Sequence, residues 1–206
     1  TREVLRAIVG VLASFFAAML SVTIVTIALP TIMADLGGTQ TDFAWTITAA
    51  LLANAATTPI WGKLADLFDK KALTQVSILI FITGSLLAGF ALNIPMLLAA
   101  RVLTGLGMGG LTALGMAVIG SVIPPRERGR YSGYFGGVMA TATAGGPLLG
   151  GLIVDTPLGW RWTFWIGIPV ALASMWLIHK TLHLKHRPRK VYIDWAGAAL
   201  VTVSVS

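Results

Sequence analysis

The sequence has no cysteine, which excludes disulfide frameworks and thiolate metal sites. Charge is also scarce: Asp, Glu, Lys and Arg make up 11% of the residues, less than half of the roughly 25% that is usual in a soluble domain. In place of charge the chain has 56% hydrophobic residues and a mean hydropathy of +0.82. The composition therefore indicates a membrane protein, because water cannot be the main solvent of so apolar a chain.

The sequence also lacks the groups that nucleotide binding or intramembrane catalysis would need. No glycine-rich loop ends in Gly-Lys-Ser or Gly-Lys-Thr. All eight acidic residues lie outside the long apolar runs, so a membrane enzyme would have no buried carboxylate. The three histidines, His179, His183 and His186, share one polar segment at spacings that allow one helix face. Metal binding there is the weaker interpretation, and contact with anionic lipid is the better one. We predict no enzyme activity, no metal and no cofactor.

Long uncharged runs predict the membrane spans. A span needs roughly 20 apolar residues, and six complete runs lie near residues 7–29, 43–62, 72–92, 96–120, 131–153 and 162–179. Residues 1–179 are thus expected to form a six-helix bundle, residues 180–194 a basic cytoplasmic linker, and residues 195–206 the start of a seventh helix, only about 18 Å long. We expect the native protein to continue beyond residue 206.

The basic residues predict the orientation of these spans. If the N-terminus is cytoplasmic, thirteen of the fifteen lysines and arginines fall in inner segments, Arg161 falls outside, and Arg101 lies within the fourth span. Basic residues accumulate on the cytoplasmic side of membrane proteins. We therefore expect a multi-pass protein of the plasma membrane with a cytoplasmic N-terminus. Because topology explains the net charge of +7, no nucleic acid is expected as a partner.

A dense group of charges, WGKLADLFDKK, joins predicted spans two and three. A glycine there would let a helix end approach a neighbour closely, and an aspartate could face a helix N-terminus or a basic side chain. The alternative is an ordinary solvated turn. The pattern resembles the signature loop of the major facilitator superfamily, which latches two six-helix halves in the outward-facing state. The resemblance implies this gate role for Gly62, Asp66, Lys70 and Lys71.

The segment RVLTGLGMGG places an arginine and a series of glycines in predicted span four. A charged side chain at mid-membrane costs at least about 2.5–3.5 kcal/mol on insertion scales, so Arg101 should face a cavity or extend to the outer headgroups. The spacing leaves both arrangements open. The segment resembles the fourth-helix motif of the same superfamily, which favours the cavity. The resemblance implies cavity or coupling roles for Arg101, Thr104 and Gly105.

The segment GYFGGVMATATAGGPLLGG is rich in small residues at helical spacing. Gly133, Gly137, Ala140 and Ala144 predict a flat face for close packing, and Pro147 permits a bend. Simple glycine packing, common in any bundle, is the alternative. The segment resembles the fifth-helix motif of exporters in the superfamily. The resemblance assigns to that motif Gly133, Ala142, Gly146, Pro147, Gly150 and Gly151, with Ala142 at a position where the family has glycine.

Residues 20–36, 124–134 and 160–169 extend the resemblance over almost the whole chain. They resemble the fourteen-spanner branch of drug:proton antiporters, particularly its actinobacterial multidrug members. The resemblance implies the N-terminal half of a secondary active exporter of drugs or other amphipathic or cationic molecules. Two halves would rock around a central site, and the C-terminal half of the same chain, the bilayer and protons would be the partners. Export of an endogenous metabolite or lipid-like compound, and a non-transporting scaffold, are the alternatives.

Departures from the branch concern the proton site. Many members have an aspartate where this sequence has Ser21, which removes a partner for Arg101. The titrating carboxylate is then expected in the second half, or at Asp35 or Asp42 near the outer rim. Ser21 is grouped with the coupling residues. The candidates for lining a substrate path are Thr23, Thr26, Asn54, Met108, Met139 and Thr143. For each of them, ordinary packing or a hydroxyl bonded to its own backbone is the alternative.

Overall fold

The computed structural model describes residues 2–157 and 159–181, which form seven helices and no strand. The helices are α1 (Arg2–Leu36), α2 (Gln40–Leu67), α3 (Lys70–Gly89), α4 (Ile94–Val122), α5 (Arg128–Val154), α6 (Trp162–Trp165) and α7 (Gly167–Thr181). The predicted all-α class is confirmed. The predicted seventh span and most of the linker, with His183 and His186, lie outside the described residues.

Most of the predicted spans match helices of suitable length and composition. Among the described residues, five stretches are long and apolar enough to cross a membrane: Leu5–Leu36, Lys70–Gly89, Ile94–Ser121, Gly129–Val154 and Trp162–Thr181. The predicted second span, 43–62, is helical throughout and lies within α2, but it is not among these five. Asn54 and four threonines within this span make it less apolar than the others.

The predicted sixth span, 162–179, lies within the apolar stretch Trp162–Thr181, and its helix is interrupted at one residue. α6 ends after Trp165, and α7 begins at Gly167. The third residue of α7 is Pro169, whose nitrogen cannot donate the helical hydrogen bond to the carbonyl of Trp165. This missing hydrogen bond accounts for the interruption of the helix within the apolar stretch.

Helix α4 lies between α2 and α3 and touches both through glycines. A Cβ atom added at Gly105 would lie 2.9 Å from the Cβ of Ala53 in α2. A Cβ atom at Gly107 would lie 2.8 Å from both Phe81 Cα and Ser77 O in α3. These separations are shorter than ordinary contacts, so the backbones approach closely only because α4 has no side chains there.

Helix α1 packs against α5 on one side and α7 on another. Near its start, a Cβ atom added at Gly10 would lie 2.9 Å from Ile178 Cγ1 in α7. Phe15 contacts Phe135 of α5, with the ring centroids 5.0 Å apart. The start of α1 therefore lies beside the end of α7 and the beginning of α5. We call this the N-terminal end of the bundle.

The connection between α2 and α3 also lies at the N-terminal end and consists of Phe68 and Asp69 alone. Asp69 is the N-cap of α3, and its carboxylate accepts the backbone N–H groups of Lys71 at 3.3 Å and Ala72 at 3.2 Å. The Nζ atom of Lys71 donates to the carbonyl of His179 at 2.6 Å, which joins α3 to the end of α7.

Candidate gate, coupling and lining residues

The predicted gate residues occupy the two helix ends that flank the short turn. Gly62 and Asp66 belong to the last turns of α2, whereas Lys70 and Lys71 form the first turn of α3. Asp66 is exposed and has no hydrogen bond or ion pair with the described residues. A Cβ atom added at Gly62 would meet nothing within 4 Å. The expected close approach at Gly62 is therefore not made with any described helix.

Asp69, in the turn between α2 and α3, has a local function. It caps α3, because its carboxylate accepts backbone N–H groups at the start of that helix. The ammonium of Lys71 is bonded to the carbonyl of His179, where it offsets part of the negative end of the α7 dipole.

Arg101 is buried between α4 and α2. Its side chain is 3% exposed, and Nε donates to the carbonyl of Thr46 at 3.3 Å. Its Nη1 atom has no hydrogen-bond partner among the described residues. The guanidinium therefore does not extend to the surface, as the headgroup alternative required. One nitrogen of the guanidinium therefore has an N–H group without an acceptor. Leaving a buried donor unpaired costs about 1–3 kcal/mol of folding free energy.

The other predicted coupling residues are buried in helix contacts rather than exposed to a cavity. The hydroxyl of Thr104 donates to Ala100 O at 2.8 Å, and the same residue fits against Gly84 of α3. Gly105 lies against the backbone carbonyl of Ala50 in α2. Ser21 is 1% exposed, and its hydroxyl has no hydrogen-bond partner, Arg101 included, in the part of the chain that the structure describes.

The α1–α5 contact uses a different face of α5 from the predicted flat face. The residues that approach α1 are Ala142, Gly146 and Gly150, which recur every fourth residue and meet Thr23, Ile24 and Ile27. By contrast, a Cβ atom added at Gly133, Gly137 or Gly151 would meet nothing within 4 Å. Helix α5 continues through Pro147.

Thr23 was expected to line the substrate path, but it belongs to this α1–α5 contact. Its hydroxyl donates to Ala142 O across the helix interface at 3.1 Å and also lies 3.0 Å from Leu20 O in its own helix. Met108 is a second correction, because it is 3% exposed and packs in the core with residues such as Phe81.

The remaining lining candidates are accessible. Thr26 and Thr143 are exposed, Met139 is 49% exposed, and Asn54 is partly buried. The hydroxyl of Thr26 donates to Val22 O at 2.9 Å, so it uses its own backbone, as the alternative interpretation held. The side-chain oxygen of Asn54 accepts from the Thr58 hydroxyl at 3.3 Å.

The two carboxylates considered as outer-rim proton sites are both engaged. Asp35 accepts the indole N–H of Trp160 at 2.9 Å and faces Arg161 at 3.5 Å. Asp42 closes a capping box at the start of α2 and accepts from the backbone N–H and hydroxyl of Thr39. Those two bonds, the backbone one first, lower the pKa of Asp42. It is therefore a poor proton carrier near neutral pH.

Neither the cap at Asp69 nor the cluster around Asp35 was anticipated from the sequence. The cap had a local signal, because an aspartate immediately before a helical run is a favoured N-cap. The Asp35 cluster had none, because it joins residues 125 positions apart. The same holds for Trp61, whose indole N–H donates to Leu106 O at 3.0 Å.

Comparison with known proteins agrees with this architecture. The efflux pump dotC of Dothistroma septosporum is 39% identical, over 94% of this chain and 34% of its own length. Multidrug resistance protein 3 of Bacillus subtilis is 34% identical, over 96% of this chain and 38% of its own length. The chain thus spans little more than a third of these curated relatives. The human organic anion transporter MFSD10 shares the fold, with a TM-score of 0.72 at 16% identity, over 95% of this chain and 52% of that chain.

A family model assigns the chain more directly. The model described as Major Facilitator Superfamily matches residues 11–202, which is most of the sequence. This superfamily consists of transporters, and the five apolar stretches agree with a multi-pass membrane protein. The chain belongs to the Major Facilitator Superfamily.

Proposed function

We propose that this chain is the N-terminal half of a proton-coupled exporter of drugs or other amphipathic, often cationic, small molecules. It would lie in the plasma membrane with a cytoplasmic N-terminus and would work by rocking two halves around a central site. Two relatives named as an efflux pump and a multidrug resistance protein support export as the activity.

The observation that carries the proposal is the buried guanidinium of Arg101. Ionisable groups within membrane-spanning helices are costly, and they typically mark ion or substrate pathways. One hydrogen bond to Thr46 leaves Nη1 of this arginine able to donate further. In the proposed mechanism that donor engages an acceptor during the transport cycle. The titrating carboxylate is assigned to the second half, because Asp35 and Asp42 are already engaged.

Two surfaces support a second half as the partner. On α2, Asp66 and Gly62 face away from the described helices. On α5, the outward glycines include Gly133 and Gly137. In the proposal Asp66 bonds to the second half in the outward-facing state only, so its removal would impair conformational cycling rather than folding.

The test is export of a fluorescent lipophilic cation by the complete transporter in inverted vesicles with an imposed pH gradient. We expect uptake into the vesicles to stop when a protonophore collapses the gradient. Arg101→Ala and Asp66→Asn are each expected to reduce the rate at least about tenfold, because removing a charged hydrogen-bond partner costs about 1.5–3 kcal/mol. Asp155→Asn, which alters an exposed carboxylate outside the predicted spans, is the matched control.

Different outcomes separate the alternatives. Export that survives the protonophore would contradict proton antiport while leaving export intact. If the transporter exports a cell metabolite or lipid-like compound but no lipophilic cation, that compound, and not drugs, is the substrate class. No transport of any of these compounds would favour the scaffold.

A further inference from the structure

The N-terminal end of the bundle has a basic groove that the transport proposal does not use. It is lined by Arg6 of α1 and by Trp176, Leu177, Lys180 and Thr181 of α7, and its volume is about 470 Å³. Arg6 is exposed. No acidic side chain is among the described residues that line the groove. The two cations therefore face the same space, and none of the described lining residues offsets their charge.

Lys180 is held in place by an aromatic side chain. Its Nζ atom lies 4.2 Å from the centroid of the Trp176 ring, a cation–π arrangement. This contact uses the ring face and leaves N–H groups of the ammonium free to donate to another ligand. Lys71 of α3 donates to His179 O and does not line this groove.

An apolar groove adjoins the basic one across Trp176. It has a volume of about 320 Å³ and is lined by Gln75 and Leu79 of α3 and by Met175, Trp176 and His179 of α7. Leu79 is 48% exposed and Trp176 is 59% exposed. Trp176 belongs to both grooves, so a cationic compartment and an apolar compartment meet at one indole ring. Tryptophan favours this kind of position, between headgroups and hydrocarbon.

We propose that the two grooves together bind one anionic phospholipid of the inner leaflet. The phosphate lies between Arg6 and Lys180, and an acyl chain follows Leu79 and Met175 past the edge of Trp176. Arginine and lysine both bind phosphate through charge-assisted hydrogen bonds, and basic pockets on the cytoplasmic side of membrane helices bind anionic headgroups. The adjoining apolar groove selects a lipid over free phosphate. This inference needs the predicted orientation but not the proposed substrate.

The test compares lipid binding by the purified protein and two pairs of substitutions. Phosphatidylglycerol and phosphatidylcholine are titrated, and bound lipid is measured by native mass spectrometry. Arg6→Gln with Lys180→Gln is expected to weaken phosphatidylglycerol binding by about twenty-five-fold, from about fivefold for each basic residue removed. Lys63→Gln with Arg126→Gln removes the same two residue types from exposed positions outside the groove and should leave binding unchanged.

A second readout tests the apolar groove. Phosphatidylglycerol with brominated acyl chains should quench part of the tryptophan fluorescence of the protein, and Trp176→Phe should remove that part. Thermal unfolding of each variant checks that it is folded. The proposal is overturned if both charge pairs lose binding equally, if phosphatidylcholine binds as tightly, if inorganic phosphate displaces the lipid, or if Trp176→Phe leaves the quenching unchanged.

Discussion

Helices α4 and α5 are both rich in glycine, but the glycines of α4 contact neighbouring helices whereas several glycines of α5 face outward. In α4, Gly105, Gly107 and Gly109 meet backbone or side-chain atoms of α2 and α3. In α5, Gly133 and Gly137 meet nothing within 4 Å, and contact with α1 is made further along at Gly146 and Gly150. Glycine allows close approach between membrane helices but does not specify the partner. For α4 the partner is in this half; for the outward face of α5 we propose the second half.

The largest effect on stability is expected when one glycine of α4 and one of α5 are each replaced by alanine. Gly107→Ala places a Cβ atom 2.8 Å from Phe81 Cα and Ser77 O, so the helices must separate. Overpacking of this kind costs about 1–3 kcal/mol. Gly137→Ala meets no described atom and should leave stability unchanged or improve it by up to about 1 kcal/mol through helix propensity. Thermal unfolding of both variants, in this chain alone and in the complete transporter, measures the difference.

The result for Gly137→Ala also depends on the second half. If it is harmless in this chain but destabilising in the complete transporter, the outward face of α5 packs closely against the second half. Equal destabilisation by both variants in this chain alone would contradict the contrast between α4 and α5.

A smaller effect on stability is expected at the α1–α5 contact, where a hydroxyl group forms a hydrogen bond beside the packed glycines. Thr23→Val keeps the shape of the side chain but removes the bond to Ala142 O, which is 3.1 Å long. Interhelical hydrogen bonds in membranes are worth about 0.6 kcal/mol on average, and a lowering of stability by about that amount is expected. Thr26→Val removes a hydroxyl bonded only within α1 and is the matched control. If chemical denaturation shows equal losses for both, the interhelical bond contributes nothing.

The smallest effect is expected at a helix end, away from both glycine-rich contacts. Thr39→Ala removes the hydroxyl bonded to Asp42 but keeps the backbone bond, which lowers the pKa of Asp42 more than the hydroxyl does. The pKa of Asp42, which these bonds lower, should rise toward its ordinary value without reaching it. Because a lowered carboxyl pKa stabilises the fold above the unfolded pKa, this contribution is lost as the pH falls through the folded pKa. NMR titration of Asp42 in both proteins measures the shift; an unchanged pKa would exclude a role for the hydroxyl.

The sequence predicted the all-helical class and placed most membrane spans, because the length and hydropathy of an apolar run are local properties. It also contained the Asp69 cap and the proline that interrupts the sixth span. It did not show that Thr23 and Met108 are engaged in packing rather than exposed. Hydroxyl and thioether side chains suit both a cavity wall and a helix interface, so composition alone could not distinguish these locations.

The sequence by itself determined which segments are apolar enough to enter the membrane and which family motifs they resemble. The tertiary structure alone decided which neighbour each small or polar residue meets. It placed the carbonyl of Thr46 against Arg101, 55 positions away, and Ala142 against Thr23, 119 positions away. Such pairings depend on how whole helices pack, and the same glycine or threonine at the same helical spacing can contact a neighbouring helix or face outward.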